Sequence, residues 1–318
     1  MPATQIRKVD LAVCTWNRPA LLASTLASFS KLSVEPGILL RVIVVDNNST
    51  DSTPDVIREF QSSEFAKSNT VVALKEIQQG HTFSRNCAVD AADSDLMIWT
   101  DDDVEVPHDW VTKYVEAANQ NSEITFWGAE IAPKFENDIP KWIHENWDAL
   151  KGCFAVREFA GELELGPSRL PYGANFAVRT VTQKEFRFNE SLGRRGDEVL
   201  GEDELDLFRR LLAAGHRGQW VPDAGLEHLI PEERASEKYV FDYFVGQGRA
   251  LVSKGDPWHE DRERFVKEAK SEYQKYKLKR LVSGSQVWVS HMLRSALAQG
   301  QAEAMDDRAG RRSHRNDK

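Results

Sequence analysis

Short apolar runs alternate with helical spacings through the first 130 residues, a rhythm that predicts strands joined by crossover helices in a parallel sheet. VDLAVCT (Val9 to Thr15) predicts a buried strand, and LLRVIVVD (Leu39 to Asp46) is apolar and β-branched, as a central strand covered on both faces must be. TVVALKE (Thr70 to Glu76), LMIWT (Leu96 to Thr100) and ITFWGAEI (Ile124 to Ile131) predict three more. Residues 19–31, 52–63, 82–92 and 107–120 suit helices, with Pro19 where a first-turn proline is favoured. From Pro133 the rhythm gives way to Gly-, Pro- and Trp-rich loops, then a short strand in YGANFAVR (Tyr172 to Arg179). EDELDLFRRLLAA (202–214) sets Leu205, Phe208, Leu211 and Leu212 at helical spacing, closed by Gly215. A long helical region follows from Ala235, and its last part places Val282, Val289, Leu293 and Leu297 on one face. Beyond Gly300 the chain turns polar and predicts disorder. The expected division is an α/β domain over 1–255, in halves 7–130 and 131–255, then a helical extension over 256–300 and a disordered tail over 301–318.

Composition changes this picture in two places. The 318 residues carry 41 Lys/Arg and 50 Asp/Glu, a formal charge of −9 that argues against bulk binding to nucleic acid. Residues 262–318, however, hold 14 Lys/Arg against 7 Asp/Glu, leaving 27 against 43 elsewhere, so an acidic body carries a basic tail. Cys14, Cys87 and Cys153 are odd in number and form no CxxC pair, and MPATQIRKVD lacks the apolar segment of a secretory signal. Both features lead to the expectation of a cytoplasmic protein.

In an open parallel sheet, ligands bind beyond the carboxyl ends of the strands. Those ends here read Thr15-Trp16-Asn17-Arg18-Pro19, Asp46-Asn47-Asn48-Ser49-Thr50-Asp51 and Asp101-Asp102-Asp103. None is a GxGxxG or GxxxxGK[ST] loop, and Gly246-Gln247-Gly248 has too few glycines and lies in the helical part. Three successive aspartates repel one another unless a cation relieves them, and carboxylate oxygens suit Mg²⁺ or Mn²⁺. A solvated turn leading into a helix is the plain alternative, and it fits one aspartate better than three. Asp46 has its own plain alternative as a turn or cap residue, but Asp51 or Ser52 serves as a cap equally well and leaves Asp46 for a base or ribose.

CTWNRP, VVDNNSTDST, GHTFSRNCAV and WTDDDVEVP, in that order and spacing, resemble the nucleotide-sugar half of the family 2 glycosyltransferases of the GT-A fold. LPYGANFAVRT, FNESLGRRG, GEDELDLFRRLLAAGH and VPDAGLEHLIPEER resemble the acceptor half of bacterial members, so the likeness spans about residues 7–252. The resemblance implies a Rossmann-like, mostly parallel sheet with helices on both faces, followed by the helical extension. It implies a metal-dependent inverting transfer from a nucleoside diphosphate sugar, a UDP-sugar in the first instance, to a glycan or lipid-linked acceptor in polysaccharide or glycolipid synthesis.

Residue by residue, the resemblance puts Thr15, Asn17, Arg18, Asp46, Arg85, Asn86, Asp101, Asp102, Asn175 and Glu202 around the nucleotide sugar. Asp101, Asp103 and the late His228 become the expected ligands of Mn²⁺ or Mg²⁺. Asp203, in the Glu202-Asp203 pair that opens a helix, becomes the base for the acceptor hydroxyl, although acids also favour a helix's first turn through its dipole. Trp142 and Trp147 offer an apolar platform for a sugar or lipid acceptor. The basic run Lys275 to Arg280 suits the inner face of an anionic membrane, with covering the acidic body or dimerisation as alternatives. Two rivals share the chemistry. A sugar nucleotidyltransferase needs a glycine-rich loop that CTWNRP does not offer, and a non-catalytic sugar-nucleotide-binding protein would be favoured by loss of Asp203 or the three aspartates.

Overall fold

The structure, a computed structural model, describes residues 5–161, 163–193, 203–253 and 262–316, with side chains to Asp306. It divides into two compact units, one formed by Met1–Lys134 with Ala155–Leu229, the other by Phe135–Phe154 with Ile230–Lys318.

The first unit opens with β1 (Lys8–Thr15), α1 (Pro19–Phe29), β2 (Leu39–Asp46), α2 (Thr53–Gln61), α3 (Glu64–Ser68) and β3 (Thr70–Lys75). It continues through α4 (His81–Ala91), β4 (Leu96–Thr100), β5 (Val104–Glu105), α5 (Trp110–Gln120), β6 (Ile124–Gly128) and β7 (Ile131–Phe135). The second unit contributes α6 (Lys141–His144) and α7 (Trp147–Leu150). The chain then returns through β8 (Glu164–Leu165), β9 (Phe176–Arg179), α8 (Thr180–Glu185), α9 (Asp203–Ala213), β10 (Arg217–Trp220) and β11 (Leu226–Ile230).

The main sheet has eight strands in the order β3-β2-β1-β4-β9-β6-β10-β8. β3, β2, β1 and β4 run parallel, and β9 enters antiparallel to both β4 and β6. Along β1 and β2 nearly every side chain is buried, which explains their continuous apolar sequences. One core cluster includes Val9, Leu11, Val13, Val42 and Val44, the other Ala12, Ile43 and Val45, so alternate residues of the same strands feed opposite faces of the sheet.

A second sheet of three strands, β5-β11-β7, positions the aspartate loop. The buried Thr25 hydroxyl of α1 donates to Val104 O and accepts from Val104 N–H, both at 3.0 Å. Ser28, one turn on, accepts from Val106 N–H at 3.3 Å. These two hydroxyls satisfy the backbone that emerges from Asp101-Asp102-Asp103.

The sequence pattern and the fold differ at several points. Ile124–Ile131 is not one strand: it breaks after Gly128, and β7 joins the second sheet. Pro171 packs on Gly128 so closely that a Cβ there would lie 2.5 Å from its ring. The strand expected from Tyr172 begins only at Phe176. β5, β10 and β11 are short strands without alternation long enough to announce them.

The second unit adds three helices, α10 (Glu237–Ser253), α11 (Arg262–Val282) and α12 (Ser285–Asn316). The second compact unit begins after Leu229 and includes residues 135–154. Trp142 packs on Trp288 at 5.5 Å, and Trp147 stacks on Phe154 at 6.0 Å. The expected apolar platform of Trp142 and Trp147 is thus spent on holding this segment. Backbone helix continues past Gly300 to Asn316, where the sequence predicts disorder. Ala298 and Ala302 are buried with Phe265, so the start of the tail has packing partners.

Gly248 and Gly300 let α10 and α12 touch. A Cβ on Gly248 would lie 2.2 Å from Leu297 O, and one on Gly300 would lie 1.9 Å from Val245 O. Gly248 is therefore a packing residue.

Candidate active site

Two carboxylate clusters stand at the carboxyl edge of β1, β2 and β4. In the first, Thr15 Oγ1 donates to Asp102 Oδ2 at 2.6 Å, and Arg18 Nη1 donates to Asp102 Oδ1 at 3.0 Å and Asp103 Oδ2 at 3.2 Å. Burial opposes the Arg18 charge, but the two aspartates outweigh it and hold the guanidinium above its ordinary value. For Asp102, burial and the repulsion of Asp103 outweigh Arg18 and Thr15, and the carboxyl is pushed up to about 6.

His228 joins this cluster through strand register. It pairs with Val104 across β11 and β5, while Leu229 N–H donates to Asp103 O at 2.8 Å. His228 Nε2 consequently lies 3.4 Å from Asp103 Oδ1, and both side chains are buried. Of the three expected metal ligands, the fold brings together Asp103 and His228. Asp101 instead faces Arg85 Nη2 at 3.7 Å. Among the described residues, no group of three or more His, Cys, Asp or Glu side chains is disposed to hold a metal.

Asn17 and Asp46 shape the neighbouring loops. Asn17 has φ +50°. Its backbone N–H donates to Ser49 Oγ at 2.9 Å, and its side-chain oxygen accepts from Thr50 N–H at 2.8 Å. Asp46 is buried, and its Oδ1 accepts from Ser49 N–H at 2.9 Å. Asp46 therefore holds the turn that follows β2. Asp51 accepts from Thr53 N–H at 2.9 Å at the start of α2.

The second cluster centres on Arg85 of α4. Its Nη1 donates to Asp203 Oδ2 at 2.8 Å and lies 3.8 Å from Glu204 Oε2, while Nη2 donates to Gly173 O at 3.3 Å. A Cβ on Gly173 would lie 2.6 Å from Nη2, so a side chain there would displace the guanidinium. The guanidinium carbon also sits 5.1 Å over the Phe188 ring. His81 Nδ1 lies 3.7 Å from Asp203 Oδ2.

Asp203 and Glu204 are adjacent in sequence but differ in environment. Burial disfavours the Asp203 charge, yet Arg85 and then His81 hold this carboxyl below its ordinary range. Glu204 lies farther from Arg85, at 3.8 Å, and shares a side-chain hydrogen bond with Asp203. Burial, then the negative charge of Asp203, push it up to about 7 against the pull of Arg85. The Asp203 side chain is 3% exposed and that of Glu204 is 17% exposed.

Asn86 and Asn175 are buried, and their amides are engaged within the protein. Asn86 Nδ2 donates to Phe188 O at 3.0 Å, and its Oδ1 accepts from Phe188 N–H at 3.0 Å, pinning that segment to α4. Asn175 is completely buried. Its oxygen accepts from Tyr114 OH at 2.7 Å and Trp110 Nε1 at 3.1 Å, and its amide donates to Glu130 O at 2.7 Å and Ala224 O at 2.9 Å. No polar atom of Asn175 remains for a sugar. Glu202 lies outside the described residues. Sequence reasoning missed Glu204 and His81. Glu204 was visible only as the third acid of a run, and His81 as the start of the GHTFSRN segment.

A mostly parallel sheet with carboxylates gathered at its carboxyl edge, and a second acidic centre at the start of α9, defines a transferase of the GT-A, nucleotide-diphospho-sugar class. The profile of glycosyl transferase family 2 matches residues 10–169, half of the chain, and the chain belongs to that family. It is a glycosyltransferase. It is 28% identical over 255 residues to the succinoglycan biosynthesis protein ExoM of Rhizobium meliloti (strain 1021), covering 77% of this chain and 76% of that protein. Its fold is similar to that of the mannosyltransferase PcManGT from Pyrobaculum calidifontis, solved in complex with GDP-Man and Mn²⁺. The TM-score is 0.55 at 16% identity, over 95% of this chain and 74% of that one.

Proposed function

We propose that this enzyme moves a sugar from a nucleoside diphosphate sugar to an acceptor hydroxyl, with inversion at the anomeric carbon, in polysaccharide or glycolipid synthesis. The observation that carries this is the buried Arg85 hub, which ties the half-exposed Asp101 of the strand-end run to the Asp203-Glu204 pair. The name of ExoM supports polysaccharide assembly, and the GDP-Man in PcManGT supports a nucleotide-sugar donor.

Asp103 Oδ1 and His228 Nε2 offer one hard oxygen and one imidazole nitrogen 3.4 Å apart. That separation suits adjacent ligands of an octahedral ion, whose edges are about 3 Å for bonds near 2.1 Å. These two residues are our candidates for holding Mn²⁺ or Mg²⁺, and the Mn²⁺ in PcManGT supports the choice. A bound divalent ion would offset the charge of the departing diphosphate. Arg18, fixed on Asp102 and Asp103, supplies a positive charge at the same edge.

The proton of the acceptor hydroxyl needs a carboxylate that can take it near neutral pH. Asp203, the expected base, is committed to Arg85 and held ionised. Glu204 is partly exposed and titrates near 7, so we assign the base to Glu204 and the positioning of Arg85 to Asp203. Attack from the face opposite the diphosphate then inverts the sugar.

The test is donor hydrolysis and donor binding across UDP- and GDP-sugars, with Mn²⁺ and with chelator. Metal-dependent binding or turnover of at least one donor is expected. Absence of both across the panel would overturn the assignment.

A further inference from the structure

The amphipathic face expected to meet a membrane is, apart from Val282, used inside the second unit. Val289 of α12 is 1% exposed, and Leu293 and Leu297 are half-buried. A different apolar surface stands outside. At the end of α11, Leu278, Leu281 and Val282 are 60%, 79% and 69% exposed. Their spacing of three and four residues puts them on one stripe of the helix. Val287, on the first turn of α12 beyond the Ser283-Gly284 turn, is 43% exposed as well.

The opposite face of α11 fixes this orientation. Arg280 donates to Glu237 Oε1 of α10 at 2.9 and 2.6 Å, and Tyr276 OH donates to Glu237 Oε2 at 2.5 Å. Glu272 is buried against His291 Nδ1 of α12 at 2.6 Å. With three anchors on the inner face, α11 cannot roll to hide the ridge.

Charge identifies what the ridge meets. At about 100° per residue, Lys275 and Lys279 flank the stripe on one side and Lys277 flanks it on the other. Lys275 is paired with Glu272 at 2.6 Å. Lys277 lies 5.4 Å over the Tyr273 ring, and neither it nor Lys279 has a carboxylate partner among the described residues. On the lysine flank Glu272 neutralises Lys275, and the next acid, Glu268, stands eleven residues before Lys279, about 16 Å along the helix. An apolar ridge between outward lysines matches a lipid interface, where the ridge enters the acyl boundary and the ammonium groups stay at anionic headgroups.

We propose that the α11–α12 corner is a membrane-docking wedge that inserts Leu278, Leu281 and Val282 into the surface of an anionic bilayer. No helix among the described residues is long and apolar enough to cross a membrane, so the contact is peripheral. It is independent of the transferase assignment.

The test uses the full chain with phosphatidylcholine vesicles, with and without phosphatidylglycerol, in a sedimentation assay. The wild type should bind the anionic vesicles, and less so as salt rises. Leu281→Glu with Val282→Glu should lower the partition ratio at least about tenfold with an unchanged far-UV circular dichroism spectrum, since a leucine's burial is worth that factor. Lys277→Glu with Lys279→Glu, which leaves the ridge intact, should abolish the preference for anionic vesicles. Equal binding by the ridge variant, no binding by the wild type, or loss only on removing residues 307–318 would each overturn the proposal. Sedimentation velocity without lipid covers the remaining occupant: a dimer that the ridge variant dissolves would assign the surface to a second copy of the chain instead.

Discussion

Glu204 and Asp203 show how one peptide bond separates two carboxylates in different environments. The folded state holds the Glu204 proton up to about pH 7, against an ordinary value of 4.5. Transfer should therefore fall as pH drops through about 7, and Glu204→Gln should cut it about 10²- to 10⁴-fold. The sign for stability is opposite to that of a salt-bridged acid. A carboxyl whose pKa is raised on folding binds more protons folded than unfolded, so its contribution declines as pH rises from 4.5 through about 7. Glu204→Gln should accordingly keep or raise Tm at pH 8. Asp203→Asn should lower it, because Arg85 loses its 2.8 Å partner. A pH profile of kcat/KM beside thermal melts separates the two residues. If Glu204→Gln transfers normally, the base is not Glu204. Arg85→Ala leaves two acids buried without their cation, and a loss of about 3–5 kcal/mol is expected by urea denaturation.

At the scale of elements, the helix pair α10 and α12 depends on two hydrogen atoms. Gly300→Val would put side-chain carbon into the Val245 carbonyl, and the helices must part or shift. A destabilisation of about 1–3 kcal/mol or more is expected, read as a lower urea midpoint for the C-terminal helices. Nothing in the sequence marks Gly248 and Gly300 as partners, since they lie far apart and each sits inside a helix. The parallel strands were legible for the opposite reason. LLRVIVVD is buried on both faces, so its sequence carries the burial directly. The short strands β5 and β11 carry no such record, because they are held by Thr25, Ser28 and one another, contacts between residues remote in sequence. The site followed the same division. Thr15, Arg18, Asp102 and Asp103 sit at strand ends that the pattern located, whereas the inward turn of Asn175 and the Asn86 clamp rest on tertiary hydrogen bonds.

At the scale of the molecule, the net charge of −9 averages unlike regions. The acids at the sheet edge are largely paired internally, by Arg18, Arg85, Thr15 and the loop backbone, and the lysines of α11 face outward. Removing His228 should weaken Mn²⁺ binding in the presence of donor nucleotide at least roughly tenfold, the loss already typical of removing an outer-shell partner. Electron paramagnetic resonance titration of His228→Ala checks this, and unchanged affinity would take His228 out of the ion site. The β5–β11 register has a further consequence for how the enzyme comes into being. Asp103 is made more than a hundred residues before His228, and only the closing of β11 onto β5 sets the imidazole beside it. A nascent chain that has finished the parallel strands has its aspartates in place but not the second half of the proposed ion-binding pair. With the proposed ion site, assembly carries its own ordering, in which capture of a metal would wait on the strand that completes the second sheet.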